Sequence, residues 1–421
     1  MKAEIIAVGS ELLTPDRIDT NSLFLTAELN KLGIEVIRKT VVGDKRADVR
    51  EAFATALARA DAVISSGGLG PTEDDLTRES VAELLGRKLV SNLEVLRSIQ
   101  ERFRRLGRQM AEVNARQAMV PEGATVLENS RGTAPGLWLE TQDRVVVLLP
   151  GPPQELQAMF ARQVAERLAR RAGGLRQVVR ELRVTGMTES DVEQRIKGIY
   201  LEYEDVHTTI LTAPGEIQVH LRTWTADAPA AEKLLVLMVE RISLALGESI
   251  FTTQSQSIEE VVAEALNRHE ASISTAESCT GGLLAERLTR IPGSSSYFLG
   301  GVVSYSNELK TAWADVPAAV IGAHGAVSPE VAIALADGIR RRTGSTLGVG
   351  ITGIAGPSGG TPEKPVGLVH IALADGVQSH ERGLHFPGDR DRVRWQASQS
   401  ALDMVRRYFL AAARARPGAK G

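Results

Sequence analysis

Short apolar runs alternate with amphipathic stretches along two long parts of this chain, and that alternation restricts each part to a sheet with helices packed against it. In the first 170 residues the runs Ile5–Val8, Ile34–Val42 and Ala62–Ser66 are separated by helical patterns over Asn21–Leu32 and Val49–Ala58. Further helical patterns come after Asp74 and after Pro153. Strands alternating with helices predict a parallel sheet covered on both faces. Right-handed crossovers bring the loops after the strands to one edge, where ligands of open α/β sheets bind. The loops Gly9–Asp16, Gly43–Lys45 and Gly67–Asp75 are therefore expected to share a site.

Gly173-Gly174 interrupts this pattern, and the next 80 or so residues have a different character. A strand over Val178–Val184, a helix over Thr188–Ile199, a hairpin of Thr208–Thr212 with Glu216–Trp224 and a helix over Ala230–Leu246 read as a small α+β unit. Thr188 with Asp191 three positions on forms a capping-box pattern that starts its helix. Thr252–Ser257 has no apolar periodicity and reads as a linker. Alternation then resumes: Ser272–Thr275, a turn at Ser278, a helix over Leu283–Arg290, the strand Phe298–Tyr305 and a helix begun by Ser328-Pro329. The strands Leu347–Thr352, Val366–Leu373 and His380–His385 come next, then a helix from Arg390 to about Leu410. With 421 residues, two to three domains are expected at roughly 150 residues each. The expected layout is 1–171, 172–251, a linker at 252–257, 258–413, and a disordered tail at 414–421.

Charge narrows the partners. With 49 basic against 52 acidic residues the net charge is -3, which gives no electrostatic case for nucleic acid or an anionic membrane. The single cysteine, Cys279, excludes an internal disulfide framework and a cysteine-based zinc site. Glu4 and Glu11 break the N-terminal run before a signal-peptide core forms, and no apolar run approaches the roughly 18 residues of a membrane span. A cytoplasmic location is expected.

Two places concentrate chemistry. Ala276-Glu-Ser-Cys-Thr-Gly-Gly282 sets Ser278 at a strand-to-helix turn, where free N–H groups of the helix start can stabilise a developing negative charge. Gly281-Gly282 permits a tight turn with backbone N–H groups facing a ligand, and Gly353, Gly356, Gly359 and Gly360 suggest a second such loop. Ser278 reads equally as a helix cap, Lys310 as a surface lysine, the glycines as ordinary tight turns, and Cys279 as a rival nucleophile or a small packed residue. A lysine serves as a base near neutral pH only where burial removes its proton, so a Ser-Lys pair implies a partly dry pocket. In the first part, Ser66-Gly-Gly-Leu-Gly-Pro-Thr-Glu-Asp-Asp-Leu-Thr77 lies between a strand and a helix, where a phosphate cradle belongs. Asp74 and Asp75 beside a phosphate call for a cation between them; otherwise they cap the next helix.

The ordered set Thr275-Ala-Glu-Ser-Cys-Thr-Gly-Gly282, Tyr305-Ser-Asn-Glu-Leu-Lys310, His324-Gly-Ala-Val-Ser328, Thr352-Gly-Ile-Ala-Gly-Pro357 and Lys364-Pro-Val-Gly367 resembles the nicotinamide-nucleotide amidohydrolase domain of the CinA (competence/damage-inducible protein A) family. The resemblance implies hydrolysis of nicotinamide mononucleotide to nicotinate mononucleotide and ammonia, without a cofactor. It implies Ser278 as nucleophile, Lys310 as its base and Thr352 as a hydrogen-bonding member of the site. Tyr305, Gly281, Gly282, Gly353 and Gly356 would line the substrate, and Arg390 would contact phosphate.

The glycine loop, with Gly9-Ser-Glu-Leu-Leu13, Asp19-Thr-Asn-Ser22, Gly132-Thr-Ala-Pro-Gly136 and Leu149-Pro-Gly-Pro-Pro153, resembles the molybdopterin-binding-like N-terminal domain of the same family. That likeness implies an α/β fold and a metal-dependent ADP-ribose pyrophosphatase yielding AMP and ribose 5-phosphate. Asp44 and Asp75, with Asp74 as a further candidate, would hold a divalent metal ion, a monovalent cation being an additional candidate. Ser10, Glu11, Asn21, Gly67, Gly68, Gly70 and Thr72 would face the substrate. Thr14-Pro-Asp-Arg17 departs from the Gly-containing pattern that the family shows after Glu-Leu-Leu. Residues 172–251 correspond to the family's KH-like domain, but they lack a Gly-x-x-Gly loop with basic flanks, which argues against RNA binding and for a spacer or dimerisation element. A homodimer is the expected assembly. A nucleotide- or molybdopterin-binding regulator of competence or DNA damage responses is the alternative to an enzyme.

Overall fold

The structure, a computed structural model, describes residues 1–415. The chain forms two compact units, residues 1–178 with 223–232, and residues 179–222 with those from 233 onward. Residues 416–421 of the expected tail lie outside the described residues, whereas Arg414 and Ala415 complete the last helix. Among the described residues no helix is long and apolar enough to cross a membrane.

The first unit runs β1 (Lys2–Val8), α1 (Thr20–Lys31), β2 (Glu35–Val42), α2 (Arg46–Arg59), β3 (Ala62–Ser66), α3 (Thr77–Leu84), β4 (Leu89–Ser91), α4 (Leu93–Arg105), β5 (Met119–Pro121), β6 (Thr125–Leu127), β7 (Gly136–Thr141), β8 (Arg144–Leu149), α5 (Pro153–Met159) and α6 (Ala165–Arg171). Its main sheet has the order β2-β1-β3-β8-β7-β6. Successive residues point to opposite faces, so Ile5, Ile64 and Val147 enter one core while Ile6, Val63 and Val146 enter the other. Both faces are covered, as expected, but the sheet is not wholly parallel. The strands β2, β1, β3 and β8 are parallel, whereas β7 pairs antiparallel with β8 and β6 antiparallel with β7. The reason is local: only Gln142 and Asp143 separate β7 from β8, and so short a turn can join only antiparallel neighbours. The helix α4 carries an apolar stripe of Val95, Ile99 and Phe103 at i, i+4 and i+8, of which Val95 and Ile99 are buried; its start signal is Asn92, whose side chain accepts from the Glu94 and Val95 amides.

The chain continues through β9 (Arg176–Val184), α7 (Glu189–Tyr200), β10 (His207–Ala213), β11 (Glu216–Thr225), α8 (Ala228–Leu246) and β12 (Ile250–Thr252), with sheet order β10-β11-β9-β12. The capping box of Thr188 and Asp191 is formed. The stretch expected as a linker is partly structured: Thr252 ends β12 and pairs with Arg183 of β9, while Ser257 and Glu260 build a second capping box at the next helix.

The last part is α9 (Ile258–Arg268), β13 (Ile273–Glu277), α10 (Leu283–Thr289), β14 (Phe298–Val303), α11 (Asn307–Ala314), α12 (Ala318–His324), α13 (Pro329–Thr343), β15 (Leu347–Gly353), β16 (Leu368–Ala374), β17 (Ser379–His385) and α14 (Arg390–Ala415). Its sheet order is β14-β13-β15-β16-β17, parallel through β15 and antiparallel beyond it. Ser278 comes directly after β13, Tyr305 lies just past β14 and Thr352 lies near the end of β15. All three therefore sit at the carboxyl edge of the parallel strands, where a binding crevice forms.

Candidate active sites

Ser278 leaves β13 with its backbone N–H fixed by the Ile351 carbonyl at 3.0 Å. Its hydroxyl is not a helix cap, because α10 is entered at Gly282 with no side-chain cap. It meets Lys310 instead: the amine Nζ lies 3.1 Å from Ser278 Oγ. The same nitrogen donates to the Ser304 carbonyl at 3.0 Å and the Tyr305 carbonyl at 3.4 Å. Lys310 is 2 % exposed, so it is not a surface lysine. Its three partners are neutral oxygens, and burial, working against the weaker pull of Cys279 and Glu308, pushes its pKa down from the ordinary lysine value. A buried lysine amine with a lowered pKa against a serine hydroxyl is the arrangement a nucleophile and its base require.

The helix start does not serve a ligand as the sequence suggested. The wholly buried Glu277 carboxylate accepts from the amides of Gly282, Leu284 and Ala285 at 3.0, 3.1 and 2.8 Å. Gly281 donates to the Ser278 carbonyl and Leu283 to the Thr280 carbonyl. This corrects the assignment of Gly281 and Gly282 as ligand-facing donors: an anion already occupies that helix terminus. Among the described residues, the amides of this turn left without a backbone acceptor are those of Cys279 and Thr280, directly beside Ser278.

Thr352 is buried in the site wall, and its hydroxyl donates to the Ala326 carbonyl at 2.6 Å rather than to Ser278 or Lys310. Gly353 is not a ligand-facing glycine either. A Cβ there would lie 2.7 Å from the Leu368 carbonyl oxygen, so its small size lets β16 pass close by. Arg390, Tyr305 and Gly356 do come together: Arg390 donates to the Gly356 carbonyl at 2.8 Å and the Tyr305 hydroxyl at 2.6 Å. Sequence reasoning missed Arg394, one helical turn further on, which donates twice to the Thr280 carbonyl at 3.2 and 2.9 Å. The i, i+4 spacing of two arginines at a helix start was the available signal.

In the first unit the expected loops do meet, around a cavity of about 650 Å³. Glu11, Asn21, Asp44, Gly67, Gly68, Gly70, Thr72, Asp74 and Asp75 line it. Ser10 is not among the lining residues. It acts behind Asp44, its amide donating to the Asp44 carboxylate at 2.7 Å while its hydroxyl accepts from the Asp44 amide at 3.2 Å. The turn at Gly67 presses against β1, since a Cβ there would fall 2.0 Å from the Val8 carbonyl oxygen. Beyond it, the amides of Gly68, Leu69 and Gly70 have no acceptor among the described residues, which makes a concave anion cradle.

Asp74 and Asp75 do not cap α3, whose N-cap is Leu76. Asp75 accepts from the Thr72 amide at 2.9 Å and from its hydroxyl, closing the loop on itself. Hydrogen bonds from Thr72 and from its own amide hold the Asp74 carboxyl below the usual carboxylate range. Asp19, which opens the Asp19–Ser22 motif but was given no site role, and Glu155, which the motifs did not single out, also line the cavity, so six carboxylates face a single cation, Arg17, among the described residues. Such a lining repels a bare phosphate and suits a hard cation. No three His, Cys, Asp or Glu side chains converge to hold a metal among the described residues. Gln117, buried and with its amide oxygen unpartnered, is a further lining residue that sequence reasoning missed.

Three family models match the chain in succession. The "Probable molybdopterin binding domain" model matches residues 4–170, the damage-inducible protein CinA KH domain 179–252, and the CinA C-terminal domain 255–409. A CinA-like protein of Koribacter versatilis is 49% identical over 97% of this chain and 100% of its own length. Another, from Solibacter usitatus, is 51% identical over 97% of this chain and 98% of its own length. Among solved structures, a CinA protein of Thermoplasma acidophilum is 34% identical, covering 40% of this chain and 97% of that one with a TM-score of 0.37.

Cys279 sits beside this machinery without the properties of a nucleophile, because burial pushes its thiol up to about 12. The folded chain is expected to resist alkylation by iodoacetamide at pH 8 and to react only after unfolding in urea. Rapid labelling of the native protein would show that the thiol is accessible and ionised.

Proposed function

The chain belongs to the CinA family, and from that premise we propose a bifunctional hydrolase of pyridine-nucleotide metabolism. Its C-terminal part deamidates nicotinamide mononucleotide to nicotinate mononucleotide and ammonia. Its N-terminal part hydrolyses ADP-ribose to AMP and ribose 5-phosphate. The observation that supports the first activity most is the buried amine of Lys310 at 3.1 Å from the Ser278 hydroxyl.

In the amidase, neutral Lys310 takes the Ser278 proton as Oγ bonds to the carboxamide carbon, and the carbonyl electrons move onto oxygen. The amides of Cys279 and Thr280 stabilise that oxyanion; a donor of this type is worth about 100- to 1,000-fold in rate. As the intermediate collapses, Lys310 returns the proton to the departing nitrogen and ammonia leaves an acyl-serine. Water, deprotonated by the same amine, then releases the acid and restores Ser278. Arg390 and Arg394 place two positive charges beside the turn for the substrate phosphate.

In the N-terminal cavity the Gly68–Gly70 amides would receive the diphosphate, and Asp44, braced by Ser10, would hold a divalent cation together with Asp75. When bound, that ion supplies Lewis-acid stabilisation of the departing phosphate. The remaining carboxylates exclude ligands whose negative charge is not matched by such a cation.

Purified protein should release ammonia from nicotinamide mononucleotide without added metal, and Ser278→Ala and Lys310→Ala should each lower the rate by about 1,000-fold or more. Folded variants that keep the parental rate would remove the pair from the mechanism. For the second activity, AMP release from ADP-ribose should need an added divalent cation and fall on the order of 100-fold in Asp44→Asn. Equal rates with and without a chelator would contradict it.

A further inference from the structure

The hairpin of β10 and β11 ends in a turn, Pro214-Gly215, that rests on α14. Trp395 Nε1 donates to the Pro214 carbonyl at 2.7 Å, and Thr185 donates to the Gly215 carbonyl at 3.3 Å. Gly215 has φ +79, and a Cβ on it would sit 2.8 Å from Gln399 Cγ, so the turn lies against this side chain with no space to spare. Gln399 is buried and accepts from Arg287 Nη2 at 2.5 Å. Arg287, itself 1 % exposed, donates in addition to Glu259 at 2.7 Å and Ser398 at 2.8 Å, and its guanidinium lies 4.3 Å from the Trp395 ring centroid.

This node joins the two helices that shape the amidase site. Arg287 belongs to α10, whose first turn is tied by Glu277 to the segment presenting Ser278. Trp395 and Gln399 belong to α14, whose first turn carries Arg390 and Arg394, the latter gripping the Thr280 carbonyl. Among the described residues, Trp395 N–H finds its one acceptor in the hairpin turn, while the buried Gln399 Nε2 has none. Leu284 and Leu288 of α10 share an apolar core with Val393, Ala397 and Ala401 of α14, and beside that core this polar node fixes the two helices to each other, with the turn resting on it.

We propose that the Pro214-Gly215 turn is a positioning element for amide hydrolysis, holding α10 and α14 in register through Trp395, Gln399 and Arg287. The inference rests on the amidase reading. It assigns as positioning residues Trp395 of α14 and Gly215, the latter in the segment otherwise read as a spacer. A displacement of about 1 Å at a nucleophile is enough to cost on the order of 100-fold in rate, so a shift of this node should appear in kcat.

The test uses the full chain with Trp395→Phe, which keeps a ring under Arg287 but loses the N–H donor, and Gly215→Asn, which tolerates the positive φ but intrudes on Gln399. Two rates are read on protein shown to be folded by circular dichroism: kcat and KM for nicotinamide mononucleotide, and labelling of Ser278 by a fluorophosphonate, which phosphonylates serine with loss of fluoride. Both variants should lose about 10- to 100-fold in kcat and in labelling rate, with KM changed far less. Parental rates in either folded variant would overturn the proposal. If the parent is labelled but releases no ammonia, the substrate reading fails while the labelling rates still decide the positioning role. If the parent shows neither, both fall together.

Discussion

The C-terminal site depends on one physical circumstance: an amine that has lost its water and gained no carboxylate. A lysine in solution is protonated near pH 7 and cannot accept a proton from serine. Three neutral oxygens around Lys310 satisfy its hydrogen bonds without supplying negative charge, so desolvation is left to dominate. A carboxylate in the place of either backbone carbonyl would hold the ammonium charged and silence the base.

The fold prepares that circumstance from several sides. Parallel pairing of β13 with β14 and β15 brings Ser278, the Ser304 and Tyr305 carbonyls and Thr352 to one edge, so residues distant in sequence meet without a loop having to reach. Glu277 then occupies the start of α10, which fixes the turn and, among the described residues, leaves the Cys279 and Thr280 amides without a backbone acceptor. A carboxylate at this terminus also withholds the helix dipole from the reaction, so the oxyanion must rely on two local donors. The N-terminal cavity has the opposite character: its lining is acidic, and the amides of Gly68, Leu69 and Gly70 have no acceptor among the described residues.

Much of this was legible beforehand. The strands β1, β3 and β13, the capping box at Thr188 and the start of α13 at Ser328-Pro329 come from apolar period and capping chemistry, which are local properties. The pairing of Ser278 with Lys310 was readable only through family motifs, because it is a contact across two strands. The features that stayed hidden depend on tertiary placement. No spacing rule reveals that Glu277 turns back onto its own helix, that Gly353 exists to let β16 pass, or that Thr352 bonds to Ala326. The antiparallel strand β7 escaped because the two-residue turn joining it to β8 carries so little sequence, and β6 because it is only three residues long. The helix α4 carries local signals of the legible kind, the Asn92 cap and the i, i+4, i+8 stripe of Val95, Ile99 and Phe103.

The central claim is that Lys310 is a neutral amine when the enzyme works, and its own titration tests that most directly. Following the 13Cε resonance of Lys310 against pH in the full-length protein, assigned by its loss in Lys310→Arg, should give a midpoint clearly below the ordinary lysine value of 10.5. A resonance that remains that of an ammonium up to 10.5 or beyond would contradict the account, whatever substrate the site accepts.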